Sequence, residues 1–224
     1  VAVDAQRKNG IEQLLHSQNP PKIILLDDAF QHRKVQAGFN ILLTTYAQLY
    51  INDYLLPLGN LREGRVGAKR ANIIVVTKCP ANISDEEQQK IKNKLKLQQS
   101  KKLFFTTIEY DSFLYTENEQ FSINLFKNKS KVLLAGIAKP DLFFEYLYDL
   151  NDVKLTFADH HQFTKKDIEF IKERAKNNPI ITTEKDFMRL KGLLPKQQLY
   201  FLPIKTKFLN NQTAFDTTII NYVE

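Results

Sequence analysis

Short uninterrupted runs of aliphatic residues, separated by polar segments, recur along the whole chain. Such runs are typical of strands that are buried on both faces of a parallel sheet. Between several of them, apolar residues recur at helical spacing. The predicted strands cover residues 23–27, 39–45, 72–78, 103–108, 132–135, 153–157, 180–183 and 199–204. The predicted helices cover residues 10–17, 84–99, 140–150, 164–175 and 184–190. Strands that alternate with helices predict an α/β fold.

The hydrophobic pattern is lost between residues 109 and 130, where polar clusters interrupt the chain. This stretch is predicted to be a linker or an irregular β excursion, and it contains the best candidate for a domain boundary. We therefore expect one α/β domain at residues 1–108 and a second, smaller α/β domain at residues 131–224.

The strand predicted at residues 23–27 ends in two carboxylates, Asp27 and Asp28. In an open α/β sheet, ligands bind just beyond the carboxyl ends of the strands. Magnesium prefers hard oxygen ligands and keeps several waters, so one or two carboxylates are enough to hold it. Gln31 and His32 follow within one turn and can reach the same place. The alternative is that the two aspartates only cap the turn or helix after the strand.

Two other polar groups could contribute to a site. The adjacent residues Arg62 and Glu63 offer a fork for phosphate and a carboxylate for a metal, or else a local ion pair in a solvated loop. Asp159, His160 and His161 follow a later strand. Two adjacent histidines do not share a face, so a joint metal site is not expected. Asp159 could orient either imidazole, and a purely structural histidine is the alternative.

Composition narrows the class of partner. The 224 residues carry a net charge of +7, which favours a nucleotide, a phosphorylated substrate, nucleic acid or an anionic membrane surface. Nucleic acid is disfavoured, because the lysine-rich helix at residues 84–99 lacks interleaved aromatic or arginine residues. The single cysteine, Cys79, excludes an internal disulfide framework. The longest apolar run, residues 132–138, is too short to span a bilayer.

Residues 46–58 are rich in tyrosine and leucine and carry few charges. They could form an apolar wall that receives acyl chains or contacts a bilayer surface. The alternative is the ordinary packing of a long connection between strands.

Several segments together resemble one family, the tetraacyldisaccharide 4′-kinases of Gram-negative bacteria. They occur in family order and are LDDAFQHR (26–33), LLPLGNLRE (55–63), KRAN (69–72), GIAKP (136–140), DHHQFT (159–164) and TTEKD (182–186). The resemblance implies a three-layer sheet similar to that of P-loop NTPases, followed by the smaller α/β domain. It also implies transfer of the γ-phosphate of ATP, with Mg²⁺, to the 4′-hydroxyl of an acylated glucosamine disaccharide 1-phosphate.

The resemblance also implies roles for individual residues. Asp27 and Asp28 look like Walker B carboxylates, with Glu63 as a further group near the metal. His161 looks like a histidine that is important for activity at an interdomain hinge. Contacts to phosphate or substrate are implied for Arg7, Gln31, His32 and Arg62.

The chain departs from the family pattern in one respect, because it contains no Gly-x-x-x-x-Gly-Lys-Ser/Thr motif. It also begins with Val1. We therefore expect the chain to be the C-terminal two-thirds of a kinase that acts peripherally at the cytoplasmic face of the inner membrane. The fragment alone is expected to be inactive, since nothing in it replaces the P-loop cradle. The alternative is a non-catalytic, basic α/β module that binds a nucleotide or a partner.

Overall fold

The structure is a computed structural model that describes residues 1–97 and 101–224. The chain divides into two compact units. The first contains Val1–Ile108 and Thr206–Glu224, and the second contains Glu109–Lys205.

Helices and strands alternate through most of the chain. The strands are β1 (Ile41–Thr45), β2 (Ile73–Thr77), β3 (Lys102–Tyr110), β4 (Phe113–Tyr115), β5 (Gln120–Ser122), β6 (Val132–Ala135), β7 (Val153–Thr156), β8 (Ile180–Thr183), β9 (Leu199–Leu202) and β10 (Ile204–Phe208). The α-helices are α1 (Arg7–Leu15), α2 (Asp85–Leu95), α3 (Asp141–Leu147), α4 (Lys165–Ala175), α5 (Glu184–Leu190) and α6 (Gln212–Val223). Short 3₁₀ helices cover Tyr50–Asn52, Arg65–Arg70 and Ile123–Phe126.

The first unit is built on a four-stranded sheet in the order β1-β2-β3-β10. β2 runs parallel to both β1 and β3. Its residues alternate between two cores: Val76 packs with Phe105 and Ile91 on one side, and Ile73 packs with Phe104 on the other. Both faces are therefore covered, which explains why its sequence is continuously aliphatic.

The second unit is built on a six-stranded sheet in the order β5-β4-β9-β8-β6-β7. The pairs β6–β7, β6–β8 and β8–β9 are parallel, whereas β4 is antiparallel to both β5 and β9. Leu134 and Ile180 face one core, while Leu133 and Ile181 face the other. The order of β6, β7 and β8 creates a switch point, because β7 and β8 lie on opposite sides of β6.

Residues 109–130, predicted as a linker or an irregular β excursion, form β4, β5 and a 3₁₀ helix that complete the second sheet and its core. Leu114 is fully buried, and Phe126 packs in the same cluster. The strands have only three residues each, so their alternation is too short to stand out from the surrounding polar residues.

The predicted domain at residues 131–224 places residues 206–224 in the second unit. In the structure these residues belong to the first unit instead. β10 joins the first sheet, and Phe215 of α6 lies edge-on to Phe104 of β3, with ring centres 5.2 Å apart. Lys102 Nζ also donates a hydrogen bond to Thr218 Oγ1 at 2.7 Å. The chain thus returns to the sheet it left after β3.

The strand predicted at residues 23–27 is also wrong, because this segment lies outside both sheets. Ile23 and Leu25 are exposed rather than buried. A buried strand needs a hydrogen-bonding neighbour as well as apolar side chains. Within the two described ranges, β1 pairs with β2 alone, so the aliphatic run has no strand beside it.

The helix caps follow from the sequence. Ser84 accepts a hydrogen bond from the Glu87 backbone at the start of α2, and Thr164 forms a full capping box with Asp167 at the start of α4. α2 ends at Leu95, and the predicted end near Gln99 lies outside the described residues. In the part of the chain that is described, no helix combines the length and apolar composition that a membrane span requires.

Candidate functional site

Asp27 and Asp28 lie in an exposed turn that follows the 23–26 segment. Asp28 has a positive φ of 44°, a left-handed conformation that aspartate tolerates better than most residues. Its carboxylate accepts a hydrogen bond from Arg62 Nη1 at 2.9 Å. Both side chains of this pair are more than half exposed, so the pair can open when another anion or cation competes.

Arg70 connects this turn to the Arg62–Glu63 segment. Its Nη2 atom donates to the Phe30 carbonyl at 2.9 Å and to Glu63 Oε1 at 2.5 Å. Its guanidinium also lies over the Phe30 ring, 4.8 Å from the ring centre. Because Arg70 and Glu63 are both partly buried, this charged contact holds the two segments together.

Arg7, the first residue of α1, brings a second cation to the turn. Its Nη1 atom lies 2.7 Å from His32 Nε2. Arginine can only donate, so the Nε2 atom of His32 is the acceptor in this contact. The His32 backbone in turn donates to the Ala29 carbonyl at 2.9 Å, which closes the turn after Asp28.

The loop before Arg62 is organised by Asp53. Asp53 Oδ1 accepts from the backbone of Tyr54 at 2.8 Å and of Asn60 at 3.1 Å. Burial raises the pKa of Asp53, but these backbone hydrogen bonds outweigh that effect and leave its pKa below the usual value. Gly59 is required here, because a Cβ atom would lie 2.4 Å from the Tyr54 carbonyl oxygen. Arg62 and Glu63 therefore follow a loop of fixed shape.

The structure thus brings together most of the candidate residues of the first unit. Arg7 meets His32, Arg62 meets Asp28, and Glu63 is held by Arg70. Asp27 is exposed beside Asp28, and Gln31 is partly buried in the same turn. Sequence reasoning missed the linking role of Arg70 and the anchoring role of Asp53, although Arg70 lies in one of the family-like segments.

The carboxylates of Asp27, Asp28 and Glu63 are the type of ligand that magnesium prefers, but they do not form a three-ligand cluster. Among residues 1–97 and 101–224, no three His, Cys, Asp or Glu side chains lie together as a metal site would require. Asp28 and Glu63 each face an arginine instead. Magnesium can be held by one or two carboxylates with water and phosphate oxygens, and the adjacent Asp27 and Asp28 meet that requirement.

His161 lies in the second unit, just after β7. Its Nε2 atom is 3.0 Å from Asp167 Oδ2, and its ring packs against both Phe157 and Phe163, with ring centres 5.0 and 5.2 Å away. Hydrogen bonds from the Thr164 backbone and hydroxyl, and then from His161, lower the pKa of Asp167 to about 2. Asp167, not Asp159, therefore orients this imidazole.

His160 points to different partners. It has a φ of 59°, and its Nδ1 atom lies 3.2 Å from Arg189 while its Nε2 atom lies 3.3 Å from Lys185. Lys185 also donates to Asp159 Oδ1 at 2.8 Å and lowers the pKa of that carboxyl. The two adjacent histidines therefore contact separate groups, as expected from their spacing.

The comparisons with known proteins agree on one family. The tetraacyldisaccharide-1-P 4′-kinase family matches residues 1–224. The tetraacyldisaccharide 4′-kinase of Flavobacterium psychrophilum is 59% identical over 226 residues, and that of Flavobacterium johnsoniae is 57% identical over 224 residues. A third relative with the same name, from Bacteroides fragilis, is 41% identical over 245 residues.

This chain is covered completely in these alignments but spans only 65–66% of the length of the relatives. It is also similar to a solved structure, the "apo" form of LpxK from Aquifex aeolicus in complex with ATP. The TM-score is 0.60 at 23% identity, over 88% of this chain and 56% of that one. At this identity the likeness concerns the fold alone, and it confirms the predicted α/β class.

Proposed function

The chain belongs to the tetraacyldisaccharide-1-P 4′-kinase family, and we propose that the whole protein transfers the γ-phosphoryl group of ATP to the 4′-hydroxyl of tetraacyldisaccharide 1-phosphate. The observation that carries this proposal is the arrangement around Arg70. That residue joins the acidic turn of Asp27 and Asp28 to the Arg62–Glu63 segment, although the two lie more than 30 residues apart.

Phosphoryl transfer requires little covalent chemistry from the protein. It requires positioning and neutralisation of the charge on the phosphate oxygens. Arg62 and Arg7 supply guanidinium groups for this purpose, and each is now paired with a side chain of the acidic turn, Asp28 and His32 respectively. Arginine binds phosphate with two parallel hydrogen bonds, so phosphate oxygens can replace these partners. Gln31 and His32 would contact the same phosphates or the acceptor sugar.

Asp27 and Asp28 are the residues that would hold magnesium. When bound, Mg²⁺ supplies positive charge that offsets the charge on the transferring phosphoryl group. Glu63 would act near the metal, oriented by Arg70. For Asp28 to bind a cation, its pair with Arg62 must open, which frees the Arg62 guanidinium for phosphate at the same time.

His161 is the residue of the second unit for which the family resemblance implies a role in activity. Its hydrogen bond to Asp167 and its packing against two phenylalanine rings fix the orientation of the imidazole. Asp167 is itself held by Thr164 at the start of α4. This support is what a functional imidazole requires, since its tautomer is set by the group that faces it.

The acceptor is an acylated lipid, so we place the reaction at the cytoplasmic surface of the inner membrane, where the protein acts peripherally. The net charge of +7 favours both the phosphorylated acceptor and an anionic surface.

The test is an assay of the purified whole protein with radiolabelled γ-phosphate ATP, magnesium and tetraacyldisaccharide 1-phosphate in detergent micelles. We expect label in the disaccharide, and its loss when 4′-deoxy acceptor is supplied. Binding of ATP by calorimetry without any transfer would contradict the proposal and favour a non-catalytic nucleotide-binding module.

A further inference from the structure

A cluster of apolar side chains projects from the first unit between Asp53 and Arg62. Leu58 is 86% exposed and Leu56 62%, and Tyr54 and Leu55 are at least half exposed. We call residues 54–61 the leucine loop. Contiguous exposed apolar groups of this kind mark interaction sites, whereas single exposed leucines do not.

Several backbone N–H groups of the leucine loop are satisfied within the loop. Two hydrogen bonds cross the loop: Leu56 N donates to the Leu61 carbonyl and Leu61 N donates to the Tyr54 carbonyl, both at 3.0 Å. Leu58 N and Gly59 N both donate to the Leu55 carbonyl, at 3.0 and 3.2 Å. Pro57 has no N–H group to satisfy. These N–H groups keep their partners when the tip leaves water, so they do not oppose its entry into the interface.

Hydrogen bonds of Asp53 and Arg65 fix the backbone at the base of the loop. Asp53 holds the backbone at Tyr54 and Asn60, and Arg65 donates to the Asp53 carbonyl with both Nε and Nη2, at 3.0 and 2.8 Å. The Arg65 guanidinium also lies over the Tyr54 ring, 5.3 Å from its centre. The exposed arrangement is thus held by ordinary hydrogen bonds, and it is available before any partner arrives.

The residues just before the loop behave differently. Leu49 is buried in the core of the first unit, and Tyr46, Tyr50 and Ile51 pack against the same core. Burial accordingly raises the pKa of Tyr50. Residues 46–58 therefore do not form one apolar wall: the first part is ordinary packing, and the apolar surface begins at Tyr54.

Cations follow the leucine loop directly. Residues 62–70 contain four basic side chains and a single acidic one, Glu63. Lys69 is exposed, and it adds to the effect of burial in lowering the pKa of nearby Lys101, whose Nζ atom donates to the Ala68 carbonyl at 2.9 Å. Positive charge beside a protruding apolar tip complements an anionic lipid surface, where headgroups attract the cations and the interface accepts the leucines.

We propose that the leucine loop inserts into the surface of an anionic phospholipid bilayer and docks the first unit there. The proposal rests on the proposed function in one respect, namely that an acylated acceptor would be reached at such a surface. Bilayer binding needs neither ATP nor acceptor, so it is tested independently of phosphoryl transfer.

The chain contains no tryptophan, so a single reporter can be introduced. The experiment compares Leu58→Trp with Leu150→Trp, a matched control at a leucine that is 93% exposed in the second unit. Each full chain is mixed with vesicles of phosphatidylcholine and phosphatidylglycerol that carry bromine on the acyl chains. We expect blue-shifted emission and bromine quenching for Leu58→Trp alone, and a weaker effect with phosphatidylcholine vesicles.

Flotation provides a second measurement. Leu55→Asp with Leu58→Asp should lower the vesicle partition coefficient at least about tenfold, because both apolar contacts become charged. Leu150→Asp should change it less than about twofold. Equal effects of the two substitutions, or Leu58→Trp emission that bromine does not quench, would overturn the proposal. Sedimentation tests the other possible partner, a second copy of this chain. If the chain self-associates, the double variant does not, and neither binds vesicles, the bilayer proposal is overturned.

Discussion

Arg70 and Glu63 form a partly buried ion pair, with Nη2 and Oε1 2.5 Å apart. The same nitrogen donates to the Phe30 carbonyl, so one guanidinium holds the acidic turn and the Arg62–Glu63 segment together. Phe30 itself lies in a turn, outside any strand or helix. The arrangement of the candidate site in the first unit therefore depends on this side chain.

Arg70→Ala should lower phosphoryl transfer by the whole protein about 100-fold, since small displacements of positioning groups have effects of that size. It should also lower the free energy of unfolding by about 1–3 kcal/mol, because the Glu63 carboxylate and the Phe30 carbonyl lose a partner. Turnover and thermal unfolding measure the two effects. Arg174→Ala is the matched control, because the Arg174 guanidinium also lies over a phenylalanine ring. Its distance to the centre of the Phe170 ring is 5.2 Å. Equal behaviour of both variants would contradict the linking role.

Asp28→Asn should lower turnover by roughly 10²–10³, the scale for one preorganised electrostatic group. Stability should change little, because the Asp28–Arg62 pair is exposed and such pairs contribute little. The measurement is kcat at saturating magnesium, with Asp216→Asn in α6 as a control. Turnover within a few-fold of the unsubstituted protein would show that Asp28 does not hold the metal.

Continuous aliphatic runs located the buried strands well, as at β2, β6 and β8. They failed at residues 23–27, because such a run indicates burial but does not specify a pairing partner. The reverse error occurred at residues 109–130, where three-residue strands leave almost no periodic signal. The return of α6 to the first unit could not be predicted either, since an apolar face does not reveal which sheet it covers.

The candidate site was predictable in its residue types but not in its contacts. Paired aspartates and an Arg-Glu dipeptide indicated phosphate and metal chemistry. The family resemblance supplied the full set of candidate site residues. The contacts themselves join residues far apart in sequence, such as Arg62 with Asp28 and Arg7 with His32. Arg70 was missed because an arginine next to a lysine at a loop end gives no local indication that it is partly buried and paired.

His161→Ala should reduce turnover of the whole protein while lowering the free energy of unfolding by less than about 1.5 kcal/mol, since the ring is only partly buried. His161→Gln, which keeps a hydrogen-bonding group for Asp167, should preserve stability without restoring full turnover. A large drop in Tm together with normal turnover of the folded protein would assign His161 a structural role only.

Phe215→Ala should destabilise the first unit by about 2–3 kcal/mol, because Phe215 packs against Phe104 and Phe208, with ring centres 5.2 and 4.8 Å apart. Hydrogen exchange should show loss of protection in β2 and β3 but not in β6 and β8. Phe170→Ala, at an exposed position of α4, should have little effect in either unit. Loss of protection confined to the second unit would contradict the assignment of α6 to the first.

The last prediction concerns the pH dependence of the second unit. Hydrogen bonds from Thr164 and His161 lower the pKa of Asp167 from 3.8 to about 2. A depressed pKa means that the ionised carboxylate favours the folded state, so this contribution is fully present above pH 3.8 and is lost as the pH falls towards 2. Asp167→Asn cannot ionise, so it should be less stable than the unsubstituted chain at pH 6, and the difference should shrink as the pH falls from 4 to 2. Asp141→Asn in the first turn of α3 is the control, and thermal unfolding of the second unit across this range is the measurement. A difference that stays constant with pH would mean that ionised Asp167 does not stabilise the cap of α4.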